Sequence, residues 1–185
     1  MSWKGLTGEP LALDLVNTVT GTAQGDVDLL DSQEALRRWL VVQAERLTPQ
    51  PADGAIDLDA VRHLRTAVTE TLTRTRAGRA PSQAVLAALV DAQRAAPGYA
   101  TLLWDGTVLT AATRREGTPT AVLVADLAAA AVELLADPAV SRIRDCEGPH
   151  CRMVFLPTNP RRRWCSPAVC GNRVRVARYY EAHKG

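Results

Sequence analysis

All four cysteines of the 185-residue chain lie in one short segment near its C-terminal end. They form two Cys-x4-Cys pairs, Cys146 with Cys151 and Cys165 with Cys170, and 13 residues separate the two pairs. Two close pairs of thiolates on facing turns provide the ligands of a tetrahedral zinc ion. Four protein ligands close the coordination sphere and leave no position for water or substrate. The spacing therefore predicts a structural Zn²⁺ site.

Other uses of these cysteines are less well supported. Disulfides belong to oxidising compartments, and the N-terminus shows no basic segment followed by an apolar one that would direct export. Redox-active thiols commonly occur as Cys-x-x-Cys, a spacing that the chain lacks. His150, next to Cys151, could replace one cysteine as a ligand, but the symmetric spacing favours four thiolates. The metal would fold a segment that is too short to build its own core.

The segment that carries the cysteines is strongly basic. From Arg142 onward it contains 10 basic and 3 acidic residues, a formal charge of +7, whereas residues 1–141 carry −5. A zinc tetrathiolate contributes a charge of about −2, so the tail remains cationic. A cationic tail suits binding to nucleic-acid phosphates. The plainer alternative is a solvated surface whose charges are unevenly distributed. The candidate DNA-binding residues are Arg161, Arg162, Arg163, Asn172, Arg173, Arg175 and Arg178. Asn and Arg can also read base edges. For Asn172 and Arg173, hydrogen bonds that support the metal-binding turn are an equally good interpretation.

The body that precedes this tail is predicted to be helix-rich. Apolar residues recur at helical spacing in four segments that start at capping residues or prolines, approximately 31–47, 57–76, 81–95 and 119–136. Two β-favouring runs flank Asp105-Gly106, which predicts a hairpin. The stretch from Leu11 to Gly21 fits either a short strand or a helix. The fold class expected is α+β.

The tail itself is predicted to contain one strand and one helix. Met153–Leu156 forms a short apolar strand, and Ser166 caps a terminal helix that has Pro167 at its first position. Cys170, Val174 and Ala177 share one helix face, expected to turn toward the metal. We therefore expect two domains, residues 1–140 and residues 141–185.

The body offers no convincing catalytic arrangement. Its only histidine is His63, and neither a Gly-rich phosphate loop nor an HExxH motif is present. Asp14, Asn17 and Thr18 place three polar side chains in an otherwise apolar stretch. They could line a small-molecule pocket, but capping and turn formation explain them more simply. The sequence does not indicate an enzyme.

Two stretches resemble known families. "RRRWCSPAVCGNRVRVARYY", together with the Cys-x4-Cys segment that leads to Phe155, resembles the CGNR-type zinc finger. "LALDLVNTV" followed by "DLLDSQEALRRWL" resembles the ABATE domain that commonly accompanies this finger. The resemblance implies a bacterial, stress-responsive transcription regulator. In such a protein the finger is expected to bind DNA, and the N-terminal domain to sense a ligand.

The function expected is therefore that of a cytoplasmic, zinc-dependent DNA-binding regulator. We expect a homodimer joined through the body, because a single finger with about five phosphate contacts would bind DNA only modestly. A small-molecule effector is a further expected partner. A membrane is not an expected partner, since no segment approaches the ~18 uninterrupted apolar residues that are needed to cross one.

The alternative function is an RNA-binding or protein-docking zinc module. Trp164, Tyr179 and Tyr180 could stack on unpaired bases. Packing of these three side chains in the small core of the tail is the simpler interpretation.

Overall fold

The protein has the α+β fold predicted from its sequence, with a helix-rich N-terminal region and a small C-terminal region around the four cysteines. The computed structural model describes residues 6–49 and 55–183. Within these ranges the elements are α1 (Leu11–Val16), β1 (Val19–Thr22), β2 (Gly25–Asp28), α2 (Gln33–Gln43), α3 (Leu58–Arg76), α4 (Gln83–Arg94), β3 (Gly98–Trp104), β4 (Leu109–Arg115), α5 (Pro119–Ala136), β5 (Arg144–Asp145), β6 (Val154–Phe155) and α6 (Asn172–Ala182).

The four helices predicted in the body are confirmed as α2 to α5. Each begins at a side chain that accepts a hydrogen bond from a backbone N–H two or three residues later, and these N–H groups have no partner inside the helix. The capping residues are Ser32, Asp57, Ser82 and Thr118. α2 ends at Gln43, earlier than predicted, and a 3₁₀ turn over Ala44–Arg46 completes that segment.

The hydrophobic core lies between α5 and the helices α1, α3 and α4. α5 has buried residues along its length, from Val122 to Leu134, and α2 contributes the fully buried Trp39. Among the described residues, α5 is the one helix that is long and apolar enough to cross a membrane by length and composition. Burial at the centre of the core explains the same composition.

The stretch from Leu11 to Gly21 is divided between a helix and a strand. Leu11–Val16 forms α1, and Val19 begins the short hairpin β1–β2, in which Val19 pairs with Asp28 and Thr22 with Gly25. This hairpin is not apparent from the sequence, because its strands consist mostly of small and polar residues without an apolar alternation. Two hydrogen bonds, of 2.7 and 2.6 Å, from Arg65 on α3 to Asp28 hold the hairpin against the body.

The longer hairpin, β3–β4, is confirmed around its predicted turn. The Asp105 carboxylate accepts hydrogen bonds from the N–H groups of Thr107 and Val108 at 2.8 and 2.9 Å. At the other end, Arg115 forms a buried ion pair with Asp126 of α5 at 2.6 Å. The hairpin is thus anchored at its base, and most of its side chains between base and turn are exposed.

Candidate metal centre and basic surface

A two-stranded hairpin carries the first cysteine. β5 pairs with β6 so that Asp145 lies opposite Val154, and the N–H of Cys146 donates to the carbonyl of Met153 at 2.9 Å. Val154 and Phe155 are buried, which confirms the predicted apolar strand beside the metal-binding residues. β5 therefore delivers Cys146 directly to the start of a turn.

That turn brings Cys151 back toward Cys146. The N–H of Gly148 donates to Sγ of Cys146 at 3.4 Å, and the N–H of Cys151 donates to the Gly148 carbonyl at 3.0 Å. A Cβ atom at Gly148 would lie 3.0 Å from Cβ and 3.2 Å from Sγ of Cys170. The turn thus favours glycine, because the second cysteine pair packs directly against its backbone.

The second pair is built on a capped helical turn. The N–H of Cys165 donates to Sγ of Cys146 at 3.3 Å, which ties the two pairs together. Ser166 accepts a hydrogen bond from the N–H of Val169, and Pro167 occupies the first helical position, as predicted. The turn Pro167–Gly171 is a π-helical one, and it places the buried Cys170 inward before α6 begins.

The four sulfur atoms form one cluster. All Sγ atoms of Cys146, Cys151, Cys165 and Cys170 lie within 4.8 Å of one another. Cys165 Sγ is 3.8 Å from Cys151 Sγ and 3.6 Å from Cys170 Sγ. Tetrahedral zinc with bonds of about 2.3 Å requires sulfur–sulfur separations of ~3.8 Å. The cluster therefore fits a structural zinc ion, and among the described residues His150 is not part of it.

Cys151, Cys165 and Cys170 have pKa values shifted in different directions. The Cys165 thiol, hydrogen-bonded to Cys151, lowers the pKa of Cys151 to about 5, and the same contact raises the pKa of Cys165 above its ordinary range. Burial raises the pKa of Cys170 to about 12. Thiolates this close repel one another, so a fully ionised cluster requires a cation at its centre. Zinc binding therefore releases protons from the site.

The three polar residues of the N-terminal stretch are fully buried and bonded to the protein itself. Asp14 accepts hydrogen bonds from the N–H groups of Gly8 and Glu9 and from the side chains of Gln43 and Arg46. These bonds connect the turn before α1 to the end of α2. Asp14 thus has the turn-forming role that the sequence analysis preferred.

Thr18 and Asn17 have different roles. The Thr18 hydroxyl donates to the carbonyl of Leu15 at 2.6 Å and accepts from Arg65 at 2.8 Å. Asn17 reaches the C-terminal region: its amide donates to the carbonyl of Val154 at 2.9 Å and accepts from the Val154 N–H at 2.8 Å. Asn17 therefore fixes β6 against the body.

Acidic and basic side chains reinforce this contact between the body and the cysteine region. Glu9 accepts from the N–H of Leu156 at 3.0 Å and forms an ion pair with Arg162. A second pair, at 2.7 Å, joins Arg76 of α3 to Asp145 of β5. Neither the roles of Glu9, Arg76 and Asp145 nor the pairing of Arg162 with Glu9 is apparent from the sequence, because each partner lies far away along the chain and no local pattern marks it.

One glycine of the body lies directly against the turn between the first two cysteines. A Cβ atom at Gly21 would lie 2.1 Å from the carbonyl oxygen of His150. Close by, Arg152 forms an ion pair with Asp26 of β2. The β1–β2 hairpin is therefore part of the surface that supports the cysteine region.

The three consecutive arginines before Trp164 have different environments. Arg161 is exposed. Arg162 is one-fifth exposed, donates to the carbonyls of Trp164 and Cys165, and lies 4.4 Å from the Phe155 ring centroid. Arg163 is half exposed and pairs with Glu147, whose pKa it lowers. Of the three, only Arg161 lacks an acidic partner among the described residues.

The terminal helix leaves most of its surface exposed. Arg173 donates to the carbonyl of Pro149 at 3.2 Å and so supports the first cysteine turn, whereas Asn172, Arg175 and Arg178 are exposed. The face predicted to turn toward the metal does so only in part. Val174 is half-buried, but Ala177 is exposed, because among the described elements α6 packs extensively only against the turn that precedes it.

The aromatic residues of the tail are also divided. Trp164 packs against the cysteine cluster, as expected. Tyr179 and Tyr180 are 60% and 63% exposed, and Tyr179 stacks on His183 with centroids 4.2 Å apart. The expectation that these tyrosines fill the small core is therefore wrong, since no described element of the body covers this side of α6.

Two family models match the chain. The first, ABATE, is described as "Putative stress-induced transcription regulator" and matches residues 9–138. The second, zf-CGNR, is described as "CGNR zinc finger" and matches residues 142–183. No curated protein matches the chain. Both resemblances identified in the sequence are thus confirmed, and both descriptions are non-enzymatic in kind.

Proposed function

Because the chain belongs to the ABATE family and ends in a CGNR zinc finger, we propose that it is a zinc-dependent DNA-binding transcription regulator. In this proposal residues 141–185 contact DNA, while residues 1–140 hold the finger, join two subunits and respond to an effector. The protein works as a homodimer in the bacterial cytoplasm. Zinc has a structural role in this function and takes no part in a reaction.

The exposed basic side of α6 carries the proposal. Arg175 and Arg178 are exposed on this helix, and Arg161 is exposed on the preceding loop; among the described residues none of the three has an acidic partner. A helix of this length, ~16 Å, fits the major groove of duplex DNA. Cys170 lies in the π-helical turn directly before α6, so the cysteine cluster fixes the start of the helix and gives it a defined orientation.

The seven candidate residues divide into two groups in this proposal. Arg161, Arg175 and Arg178 contact phosphates, and the exposed Asn172 reads a base edge. The other three, Arg162, Arg163 and Arg173, are engaged with Glu9, Glu147 and the Pro149 carbonyl. Because these contacts fix the finger, we assign the second group to positioning.

The proposed effector does not contact Asp14, Asn17 or Thr18, whose polar groups are buried within the body. A cleft of about 660 Å³ between α3 and the finger is better suited. Thr69, Thr73 and Arg76 line it from the body, while Asp145 and Arg152 line it from the finger. A small polar molecule bound there would contact both regions, so its binding would be coupled to the position of the finger.

Salt-dependent DNA binding tests the proposal. The zinc-loaded, reduced protein is titrated against a short labelled duplex of random sequence at several salt concentrations. Replacing Arg161, Arg175 and Arg178 together by alanine should lower the slope of log affinity against log salt by about 2.7, since each phosphate contact contributes about 0.9. A matched variant with Arg37, Arg38 and Arg79 of the body replaced, all exposed, should retain the slope.

A second candidate function is favoured by the two exposed tyrosines. Tyr179 and Tyr180 present aromatic faces on the same helix, and aromatic faces stack on unpaired bases. Competition separates the two functions. Excess unlabelled duplex should displace the labelled duplex, whereas displacement by single-stranded RNA alone would establish the RNA-binding alternative and contradict the regulator.

A further inference from the structure

One face of the β3–β4 hairpin is apolar and uncovered. Its strand alternation places Ala100, Leu102 and Trp104 of β3 on the same side as Thr113, Ala111 and Leu109 of β4. Leu102, Trp104 and Leu109 are 71%, 63% and 64% exposed. We call these six residues the apolar face. It contains no charged side chain, and among the described elements the two strands pack extensively only against each other.

An isolated two-stranded hairpin is at most marginally stable in water, and packing on one of its faces is the usual source of stability. The base of this hairpin is fixed by the buried pair of Arg115 with Asp126, but its outer half has no such support. Contiguous apolar surface of this kind marks an interaction site in a soluble protein. The question is which surface covers it.

A groove lies at the base of the same face. It measures about 560 Å³ and lies between the hairpin and α4. Val90, Pro97 and Ala100 contribute apolar lining, and Gln93 and Arg94 contribute polar groups. The groove is open to solvent and large enough to accept an indole ring.

The hairpin carries a side chain that fits this groove. Trp104 ends β3, four residues after Ala100, and at ~3.4 Å per residue the tip and the groove are ~14 Å apart on one face. If two hairpins pack face to face in opposite directions about a two-fold axis, each Trp104 lies over the other groove. Both contacts then form at once, as an isologous interface requires.

The hairpin tip and the groove carry opposite charges, which favours this packing. Asp105 follows Trp104 at the tip, and two backbone N–H groups keep its pKa low. Arg94 lies at the rim of the groove, and its contact with Asp91 is long, at 3.5 Å. The opposed packing brings Asp105 of one subunit to Arg94 of the other.

We propose that the apolar face is the surface through which two copies of this chain pair, with Trp104 of each seated in the groove beside α4 of the other. The proposal rests on the dimeric regulator proposed above and names its interface. Stacking two such hairpins removes on the order of 1,000 Å² of accessible surface, which is typical of weak, transient complexes. A reversible dimer with micromolar dissociation is expected.

Sedimentation equilibrium of the zinc-loaded 185-residue chain measures the pairing. Trp104→Ser and Ala100→Arg, which alter the tip and the groove, should each weaken dimerisation at least about 30-fold, as expected for an aromatic anchor seated in a pocket. Val41→Ser is the matched control, since Val41 is 77% exposed on α2, away from the hairpin. Circular dichroism and zinc content serve to check that each variant is folded.

A photocrosslinking residue at position 104 then locates the partner surface. Mass spectrometry should find its adduct on residues 90–100 of the second copy. If the protein is dimeric but both variants remain dimers, or the adduct maps elsewhere, this interface is wrong while the dimeric regulator stands. If the wild-type chain stays monomeric at concentrations well above the micromolar range, the proposed dimer and its interface both fail. An adduct with a different protein, without dimerisation, also overturns the assignment.

Discussion

The side chain of Asn17 pairs with the backbone of Val154 as a neighbouring strand would. Its amide donates to the Val154 carbonyl at 2.9 Å and accepts from the Val154 N–H at 2.8 Å, and both residues are buried. Asn17 of the body thus satisfies both backbone polar groups of Val154, in the strand that lies directly before the basic loop of the finger. This contact makes the position of the zinc finger depend on the ABATE region.

Asn17→Ala should therefore weaken the whole chain. The change leaves a buried N–H and a buried carbonyl of Val154 without partners, each worth ~1–3 kcal/mol, so we expect a loss of ~2–4 kcal/mol in the free energy of unfolding. Guanidinium denaturation of the zinc-loaded protein measures it. Asn172→Ala, an exposed asparagine on α6, is the control and should change stability by less than ~0.5 kcal/mol. Equal stability of the two variants would contradict the docking role of Asn17.

Zinc should bind at one ion per chain through the four cysteines. Cys170→Ser removes a buried ligand, so the variant should lose the metal and the ordered structure of the finger while the helical body remains folded. Elemental analysis and circular dichroism report the two effects separately.

His150→Asn is the matched control for the metal site. His150 has a φ of 59°, which asparagine tolerates, and it lies outside the sulfur cluster. Full zinc occupancy is expected in this variant. Loss of zinc would show that histidine takes part in coordination.

Arg161 and Arg162 should behave differently although they are adjacent. Arg162→Ala removes an ion pair with Glu9, two hydrogen bonds to carbonyls and the contact with Phe155, so we expect a loss of roughly 2–3 kcal/mol in stability. Arg161→Ala should leave stability unchanged and lower the salt slope of DNA binding by about 0.9. Thermal unfolding and DNA titration of both variants check the assignment, and the reverse pattern would refute it.

The local features of this chain could be predicted from its sequence, because the interactions that determine them are local. The spacing of the cysteines, the cap at Ser166 and the Asp105-Gly106 turn each involve residues a few positions apart. Zinc chemistry and helix capping depend directly on such spacing. These elements, and the four long helices of the body, appear in the structure as expected.

The relation between body and finger could not be predicted in this way. Asn17 and Val154 are 137 residues apart, and Glu9 and Arg162 are 153 apart. A polar residue in an apolar stretch can form a cap, line a pocket or bind a distant strand, and its neighbours in sequence do not distinguish these roles. For the same reason Arg161 and Arg162 look alike in the sequence, although only Arg162 is mostly buried and paired with Glu9 of the body.

The ion pair of Asp28 with Arg65 should make stability depend on pH. Hydrogen bonds from Arg65 hold the pKa of Asp28 below its ordinary value. A depressed folded pKa stabilises the protein above the unfolded pKa of about 3.9, and this contribution is lost as the pH falls through the folded pKa. Asp28→Asn should therefore be less stable than wild type at pH 7, and the difference should narrow below about pH 4.

Urea denaturation at several pH values measures this difference. Acid also releases zinc, so only the difference in the free energy of unfolding between wild type and variant is informative. Glu133→Gln, an exposed change on α5, should follow the wild type at every pH. A gap for Asp28→Asn that stays constant into acid would mean that Asp28 contributes no charge-dependent stability.

Gly21→Ala should separate docking of the finger from its folding. The added Cβ would lie 2.1 Å from the carbonyl oxygen of His150, and a backbone atom cannot move aside as a flexible side chain can. The β1–β2 hairpin or the cysteine turn must therefore shift, and overpacking of this kind costs typically ~1–3 kcal/mol.

Zinc content should remain full, because no ligand is altered. Limited proteolysis should cut the segment around residues 138–145 faster than in wild type. Ala23→Ser, in the exposed turn of the same hairpin, serves as the control. Unchanged proteolysis and stability in Gly21→Ala would show that this contact does not hold the two regions together.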